Sequence, residues 1–136
     1  MSKSVLCEEK DNICLITLNE EDTRNAISPE IINELVSILE EIDNNKNISC
    51  AILTGAGKSF SSGGNLHEIN EMTENNNMSL RDIENWYRNG IQRIPMTFNK
   101  IDVPVIAAVN GHAIGAGNDL CTCLLYTSPS PRDRLK

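Results

Sequence analysis

Two glycine-rich turns, Ser61–Leu66 (SSGGNL) and Gly115–Asp119 (GAGND), each follow an apolar run typical of a buried strand. Small residues let a ligand approach the backbone, and a helix that begins at such a turn leaves its first N–H groups unpaired. Two such N–H groups aimed at one point would form an oxyanion hole, which stabilises charge developing on a carbonyl oxygen. A single glycine-rich turn is usually only a turn. The occurrence of two such turns is what indicates an oxyanion hole.

A carboxylate accompanies the second turn. Asp119 follows Ala116 by three residues, and a helix that begins at Ala116 would place both on neighbouring turns of one face. A carboxylate beside an oxyanion hole can move a proton to or from a substrate carbon. The structural alternative is an acidic residue in a first helical turn, where the helix dipole favours it.

A phosphate-binding loop is the competing use of these glycines. Gly57-Lys58-Ser59 resembles the end of a P-loop, but position 52 carries isoleucine where the first glycine is required. The spacing of Gly111, Gly115 and Gly117 does not match the dinucleotide fingerprint either. We therefore reject a nucleotide-binding loop.

Length and charge limit the function classes. The 136 residues suit one domain at most, with a net charge of −7 and a pI near 4.8. This acidity argues against nucleic acid and against an anionic membrane surface. No run approaches the 18 apolar residues of a spanning helix, and the N-terminus turns acidic before any signal-like apolar stretch. We expect a cytoplasmic location and no membrane or nucleic-acid partner.

The five cysteines give no metal or disulfide pattern. Cys7, Cys14 and Cys50 lie in or beside apolar runs, which favours buried, reduced thiols. Cys121 and Cys123 form C-x-C without a second pair or a histidine cluster, so no metal site is expected.

The remaining pattern alternates strands and helices. Apolar runs at 5–9 and 13–18 predict a β-hairpin. Ser28 and Pro29 are favourable first residues for an amphipathic helix that ends near residue 44. Residues 50–54 and 103–109 read as buried strands, 67–78 as a mobile loop, and 80–98 as a second helix that Pro95 kinks or shortens.

Three segments in this order resemble the crotonase (enoyl-CoA hydratase/isomerase) family: LNEEDTRNAIS, AILTGAGKSFSSGGNL and VPVIAAVNGHAIGAGNDL. The resemblance covers residues 5–123, about half of a usual member. It implies an α/β crotonase-type ββα superhelix, N-terminal part only, without the C-terminal helical region. Residues 1–123 would form this partial acyl-CoA-binding core, and residues 124–136 (LLYTSPSPRDRLK) resemble a non-native tail.

The resemblance also implies roles for individual residues. The N–H groups of Gly64 and Ala116 would bind the thioester oxygen, and Asp119 would move the proton. Asn65 replaces an aspartate that is common in the family, which leaves the backbone role of Gly64 unaffected. The residues expected to contact the CoA part of the substrate are Arg24, Asn25, Ala26, Lys58, Ser61, Ser62, Gly63 and Gly64.

The implied activity is hydration of 2-enoyl-CoA or a double-bond shift in dienoyl-CoA, with coenzyme A as part of the substrate and no other cofactor. The full-length parent would be a homotrimer or hexamer. Its second acid/base would lie beyond residue 123, so we expect this chain to be inactive. The alternatives are a non-catalytic acyl-CoA-binding module and, last, a Clp-type serine peptidase, for which His67 and His112 lie in no suitable motif.

Other polar and aromatic candidates carry weaker expectations. For His67 and Glu68 the favoured interpretation is a surface pair, and the alternative is a position along the path of the acyl chain or CoA. Trp86 and Tyr87 are expected in the core first and in an acyl-pocket wall second.

Overall fold

The computed structural model describes residues 3–74, 78–124 and, for the backbone alone, 126–127. The predicted hairpin is confirmed as β1 (Val5–Lys10) and β2 (Ile13–Leu18), which pair antiparallel. Asp11 and Asn12 form its turn, both with positive φ (51° and 67°), a conformation that asparagine and aspartate tolerate best after glycine.

The first helix, α1 (Pro29–Asn44), begins as predicted. The Ser28 hydroxyl accepts a hydrogen bond from the Ile31 N–H at 3.2 Å, and proline occupies the first helical position. Its apolar face packs on one side of a five-stranded sheet to form the main core, whose fully buried members include Ile16, Leu35 and Leu53.

The sheet order is β1-β2-β4-β7-β9, with β4 (Cys50–Gly55), β7 (Val105–Ala107) and β9 (Tyr126–Thr127). Every pair except β1–β2 is parallel. The predicted strands at 50–54 and 103–109 are thus confirmed, the second in shorter form. Tyr126 and Thr127 fall within the tail predicted to be non-native, and the rest of that tail beyond Leu124 lies outside the described residues.

Two short parallel pairs connect the loops at one end of this sheet. One joins β3 (Ala26–Ile27) to β6 (Gly63–Gly64), and the other joins β5 (Ser59–Ser61) to β8 (His112–Ala113). These ladders are only two or three residues long. Each holds together two loops that are distant from one another in the sequence.

The middle of the chain is more helical than its sequence predicts. Residues Leu66–Glu74, within the stretch predicted as a loop, form helix α2. The predicted long second helix is divided into α3 (Leu80–Asn89) and α4 (Arg93–Phe98). The break falls at Gly90, which ends α3, and Pro95 lies in the first turns of α4, where its missing N–H costs little.

The expectation of reduced thiols is wrong for two cysteines. Cys7 and Cys14 form a disulfide between β1 and β2, with their Cα atoms 6.4 Å apart. Cys7 lies opposite Ile16, two residues from Cys14 on the same sheet face, so the two cysteines are diagonal neighbours within bonding reach. Cys50, Cys121 and Cys123 are free.

Candidate active site

The second glycine-rich turn lies against the first. Strand β8 pairs with β5, and the Ile114 N–H donates to the Ser61 carbonyl at 3.0 Å. Gly63 has a φ of +92°, and a Cβ built on it would overlap the Ile114 carbonyl oxygen and lie 3.3 Å from the Ala116 nitrogen. Close approach of the two turns therefore requires glycine at position 63.

Ala116 is the first residue of helix α5 (Ala116–Thr122). The next three N–H groups of the turn are occupied, because Gly117 donates to Ile114 and both Asn118 and Asp119 donate to Gly115. Among the described residues, the Ala116 N–H has no hydrogen-bond acceptor. It is thus a donor at a helix N-terminus that a ligand oxygen can use.

Gly64 and Ala116 line the same cavity, which has a volume of about 640 Å³. Its wall is formed by the start of α1, by α2 and by α3 and α4, with Ile27, Ile69, Trp86 and Ile91 among its apolar members. The two residues predicted as oxyanion donors are thus brought to one cavity of ligand size.

The 24–26 loop is tied to the first glycine-rich turn. The Arg24 carbonyl accepts from the Ser62 N–H at 2.9 Å, and the Asn25 carbonyl accepts from the Ser61 hydroxyl at 2.7 Å. Ala26 pairs with Gly63 in the β3–β6 ladder. These bonds fix the position of the turn that carries Gly64.

Asn25 is fully buried, and its side chain serves the fold. Its amide nitrogen donates to the Ala56 and Ser59 carbonyls at 3.0 and 2.9 Å, and its Oδ1 accepts from the Glu20 N–H at 2.9 Å. Its φ of 56° is one that asparagine tolerates better than most residues. Because its amide nitrogen and its oxygen both have protein partners, Asn25 holds the loop in place.

The charged residues predicted for CoA binding are on the surface. Arg24 and Lys58 are exposed. Ser62 is half-buried and its hydroxyl donates to the Thr23 carbonyl at 3.0 Å, while Ser61 is completely buried. Arg24 and Lys58 are therefore the members of this set whose charges face solvent.

Asp119 lies on the exposed side of α5. It does not line the cavity among the residues that the structure describes. Its charge acts on Cys123, one turn further on, where burial first and then the Asp119 carboxylate raise the pKa of the thiol. Ala116 and Asp119 share one helix as predicted, but only Ala116 faces the cavity.

Glu68 is a carboxylate for which the sequence favoured a surface pair over a place along the path of the acyl chain or CoA. It lines the cavity with Gly64 and Ala116, whereas the expected surface position holds for His67, whose Nε2 lies 3.4 Å from Glu71 on the exposed side. Burial raises the pKa of Glu68, and the neighbouring Glu30 carboxylate raises it further. Its place in the first turn of α2 could not be read from a segment taken as a loop.

Trp86 and Tyr87 also line the cavity rather than the core. Trp86 is half-buried and Tyr87 is 39% exposed, with their rings edge to face at a centroid distance of 4.9 Å. The sequence placed these two aromatic residues in the core first and in a pocket wall second. The structure places them in the wall of the cavity.

The raised pKa of Glu68 predicts a pH-dependent stability difference. A raised native pKa means that the protonated carboxyl stabilises the fold, and this contribution is lost as pH rises through the native pKa. We expect Glu68→Gln to raise Tm at pH 7.5, and the gain to shrink as pH falls toward the ordinary glutamate value of 4.5. Thermal unfolding monitored by circular dichroism at several pH values measures the Tm gain and its decrease with falling pH.

Glu74→Gln on the same helix is the matched control, because Glu74 is exposed and lies away from the cavity. The groups that act on Glu68 are Glu30 on α1, Glu71 on α2, Glu20 before β3 and the Asn65 side chain. Equal Tm gains at pH 7.5 from both variants would contradict a specific penalty at Glu68.

Neither a metal centre nor a membrane span is found in the parts of the chain that the structure describes. No three histidine, cysteine, aspartate or glutamate side chains there group as metal ligands. No helix among those residues is both long and apolar enough to cross a bilayer.

The fold and the cavity define a crotonase-type α/β protein. The enoyl-CoA hydratase of Bacillus anthracis superposes with a TM-score of 0.75 at 29% identity, over 91% of this chain and 46% of that one. Residues 8–127 match the family model for enoyl-CoA hydratase/isomerase. The chain belongs to the enoyl-CoA hydratase/isomerase family.

Relatives of both reaction types are similar to this chain. YngF of Bacillus subtilis, described as an enoyl-CoA hydratase/isomerase, is 38% identical over 88% of this chain and 44% of its own length. The 1,2-epoxyphenylacetyl-CoA isomerase of Escherichia coli is 31% identical over 88% of this chain and 45% of its own length. The chain thus spans less than half the length of these relatives.

Proposed function

We propose that this chain supplies the thioester-binding half of an acyl-CoA hydratase or isomerase. The observation that carries the proposal is the presence of Gly64 and Ala116 at one cavity, with the Ala116 N–H without an acceptor among the described residues. A thioester oxygen placed between the two N–H groups becomes an enolate oxygen when the α-carbon loses a proton or the β-carbon gains a nucleophile.

The CoA part of the substrate would run over the surface formed by the 24–26 loop and the first glycine-rich turn. Arg24 and Lys58 are exposed there and can meet the phosphates of CoA. The backbone of Ser61, Ser62 and Gly63 shapes the passage toward Gly64. Asn25 and Ala26 hold this surface in place, Asn25 by the buried amide and Ala26 by its pairing with Gly63.

Asp119 is the proton-moving group in this proposal. It stands one helical turn after Ala116, on the helix that carries the second N–H donor of this proposal. Coenzyme A is needed only as part of the substrate. By family resemblance, the complete enzyme would be a cytoplasmic homotrimer or hexamer, with a second acid/base supplied from beyond residue 123.

The proposal is tested with crotonyl-CoA and with a dienoyl-CoA, assayed on the longest reading frame that contains this chain. Turnover of crotonyl-CoA indicates hydration, and a double-bond shift in the dienoyl-CoA indicates isomerisation. The 136-residue chain itself is expected to turn over neither. Hydration by this chain at ordinary enzyme rates would contradict that expectation.

Replacing Asp119 by Asn in the longest reading frame should lower kcat by about 100-fold, the lower range for a proton-transfer group, because its side chain is exposed. The Kd for the acyl-CoA should change little. Unchanged kcat would remove Asp119 from the mechanism.

A non-catalytic acyl-CoA-binding module is the second candidate, and the position of Asp119 favours it. The carboxylate predicted to move the proton lies outside the cavity wall among the described residues. Saturable acyl-CoA binding without turnover by the longest reading frame would support this candidate over the enzyme.

A further inference from the structure

Glu68 lines the cavity together with Gly64 and Ala116, the two residues proposed as N–H donors. It lies in the first turn of α2, four residues after Gly64, and the neighbouring Ile69 side chain approaches the Gly64 backbone, 3.2 Å from where a Cβ would stand. Apolar and aromatic side chains such as Ile27, Ile91 and Trp86 form much of the surrounding wall. The carboxylate of Glu68 would therefore lie near any acyl group that enters the cavity.

The charges around the cavity are mainly negative. Glu30, Glu71 and Glu20 act on Glu68 from outside the cavity, and Asp82 of α3 lies in its wall. The positive charge in the wall is that of Arg93, whose Nη1 donates to the Asn33 Oδ1 at 2.5 Å. Because Asn33 is neutral, Arg93 keeps its charge, and the wall presents two carboxylates, Glu68 and Asp82, against this one guanidinium. A second anion in the cavity would therefore meet net repulsion.

We propose that Glu68 makes the cavity select uncharged acyl groups and reject acyl groups that carry a carboxylate. This selectivity rests on the proposed acyl-CoA-binding function and adds the chemical class of the acyl group. Repulsion between two carboxylates in a partly apolar wall is screened less than at a free surface, so one side chain can determine the preference.

The test uses butyryl-CoA and succinyl-CoA, whose four-carbon acyl groups differ chiefly in the terminal carboxylate. Trp86 is the single tryptophan of the chain and lines the cavity, so its fluorescence reports occupancy directly. At pH 7.5 we expect the 136-residue chain to bind butyryl-CoA at least about tenfold more tightly than succinyl-CoA. Glu68→Gln should reduce this ratio to about threefold or less, mainly by improving succinyl-CoA binding.

Glu74→Gln is the matched control, since it removes the same charge from the same helix away from the cavity wall. It should leave the butyryl-to-succinyl ratio unchanged. Equal affinity for the two ligands in the unaltered chain, or a ratio that Glu68→Gln does not lower, overturns the role of Glu68 while the acyl-CoA-binding function stands. Failure of both ligands to bind overturns the proposed function and this selectivity with it.

Discussion

Replacing Ala116 by Pro should lower kcat by roughly 10²- to 10³-fold, the loss typical of removing one oxyanion donor. Ala116 is the first residue of α5, a position that proline occupies without breaking a helix. Its N–H has no acceptor among the described residues, so no observed protein hydrogen bond is lost. Gly115 precedes it and has no Cβ to clash with the proline ring.

The measurement is steady-state turnover of crotonyl-CoA by the longest reading frame that contains this chain, with circular dichroism to verify folding. Ala116→Val is the matched control, because valine has as many side-chain carbons as proline and keeps the N–H. We expect it to lose less than about tenfold. Equal losses in the two variants would show that bulk at the cavity wall, and not the N–H group, matters at this position.

Replacing Gly63 by Ala should destabilise the protein by about 3 kcal/mol or more. Two costs combine there, a φ of +92° and an overlap of the new Cβ with the Ile114 carbonyl oxygen. The second glycine-rich turn would have to move away, which separates Ala116 from Gly64. Urea unfolding measures the stability, and Trp86 fluorescence measures the loss of acyl-CoA binding.

Gly64→Ala is the control for this prediction. A Cβ at position 64 meets only the end of the Ile69 side chain, at 3.2 Å, and its φ lies outside the left-handed region. We expect its free energy of unfolding to change by less than about 1 kcal/mol. If both alanine variants unfolded at the same urea concentration, the close approach at Gly63 would not be a constraint on the fold.

Elements with local signals were predictable from the chain alone. The hairpin follows from two apolar runs around Asp11 and Asn12, and α1 follows from its Ser28 cap and an apolar stripe at helical spacing. The start of α3 is marked by Ser79 and Asp82, which form a capping box. In each case the sequence signal lies within the element or at its boundary, although packing against distant elements also stabilises α1.

Features that depend on distant partners were missed or misplaced. Helix α2 has few apolar positions, so its polar sequence resembles a loop, although the Oδ1 of Asn65 caps it by accepting from the His67 N–H at 3.1 Å. The break between α3 and α4 falls at Gly90, although proline is the stronger breaker in isolation. The bond between Cys7 and Cys14 depends on the register of two strands, which spacing in the sequence does not reveal.

The sequence by itself determined the family and the two glycine-rich turns, because small residues at a turn are a local signal. Its resemblance to the family implied Gly64 and Ala116 as the N–H donors, and that role stays a prediction. Only the tertiary structure decided which side chains share the cavity with them. Glu68 and Trp86 are in its wall and Asp119 is outside it, since the packing of α2, α3 and α5 sets these directions. Side-chain direction is a property of packed helices, and no motif in the chain specifies it.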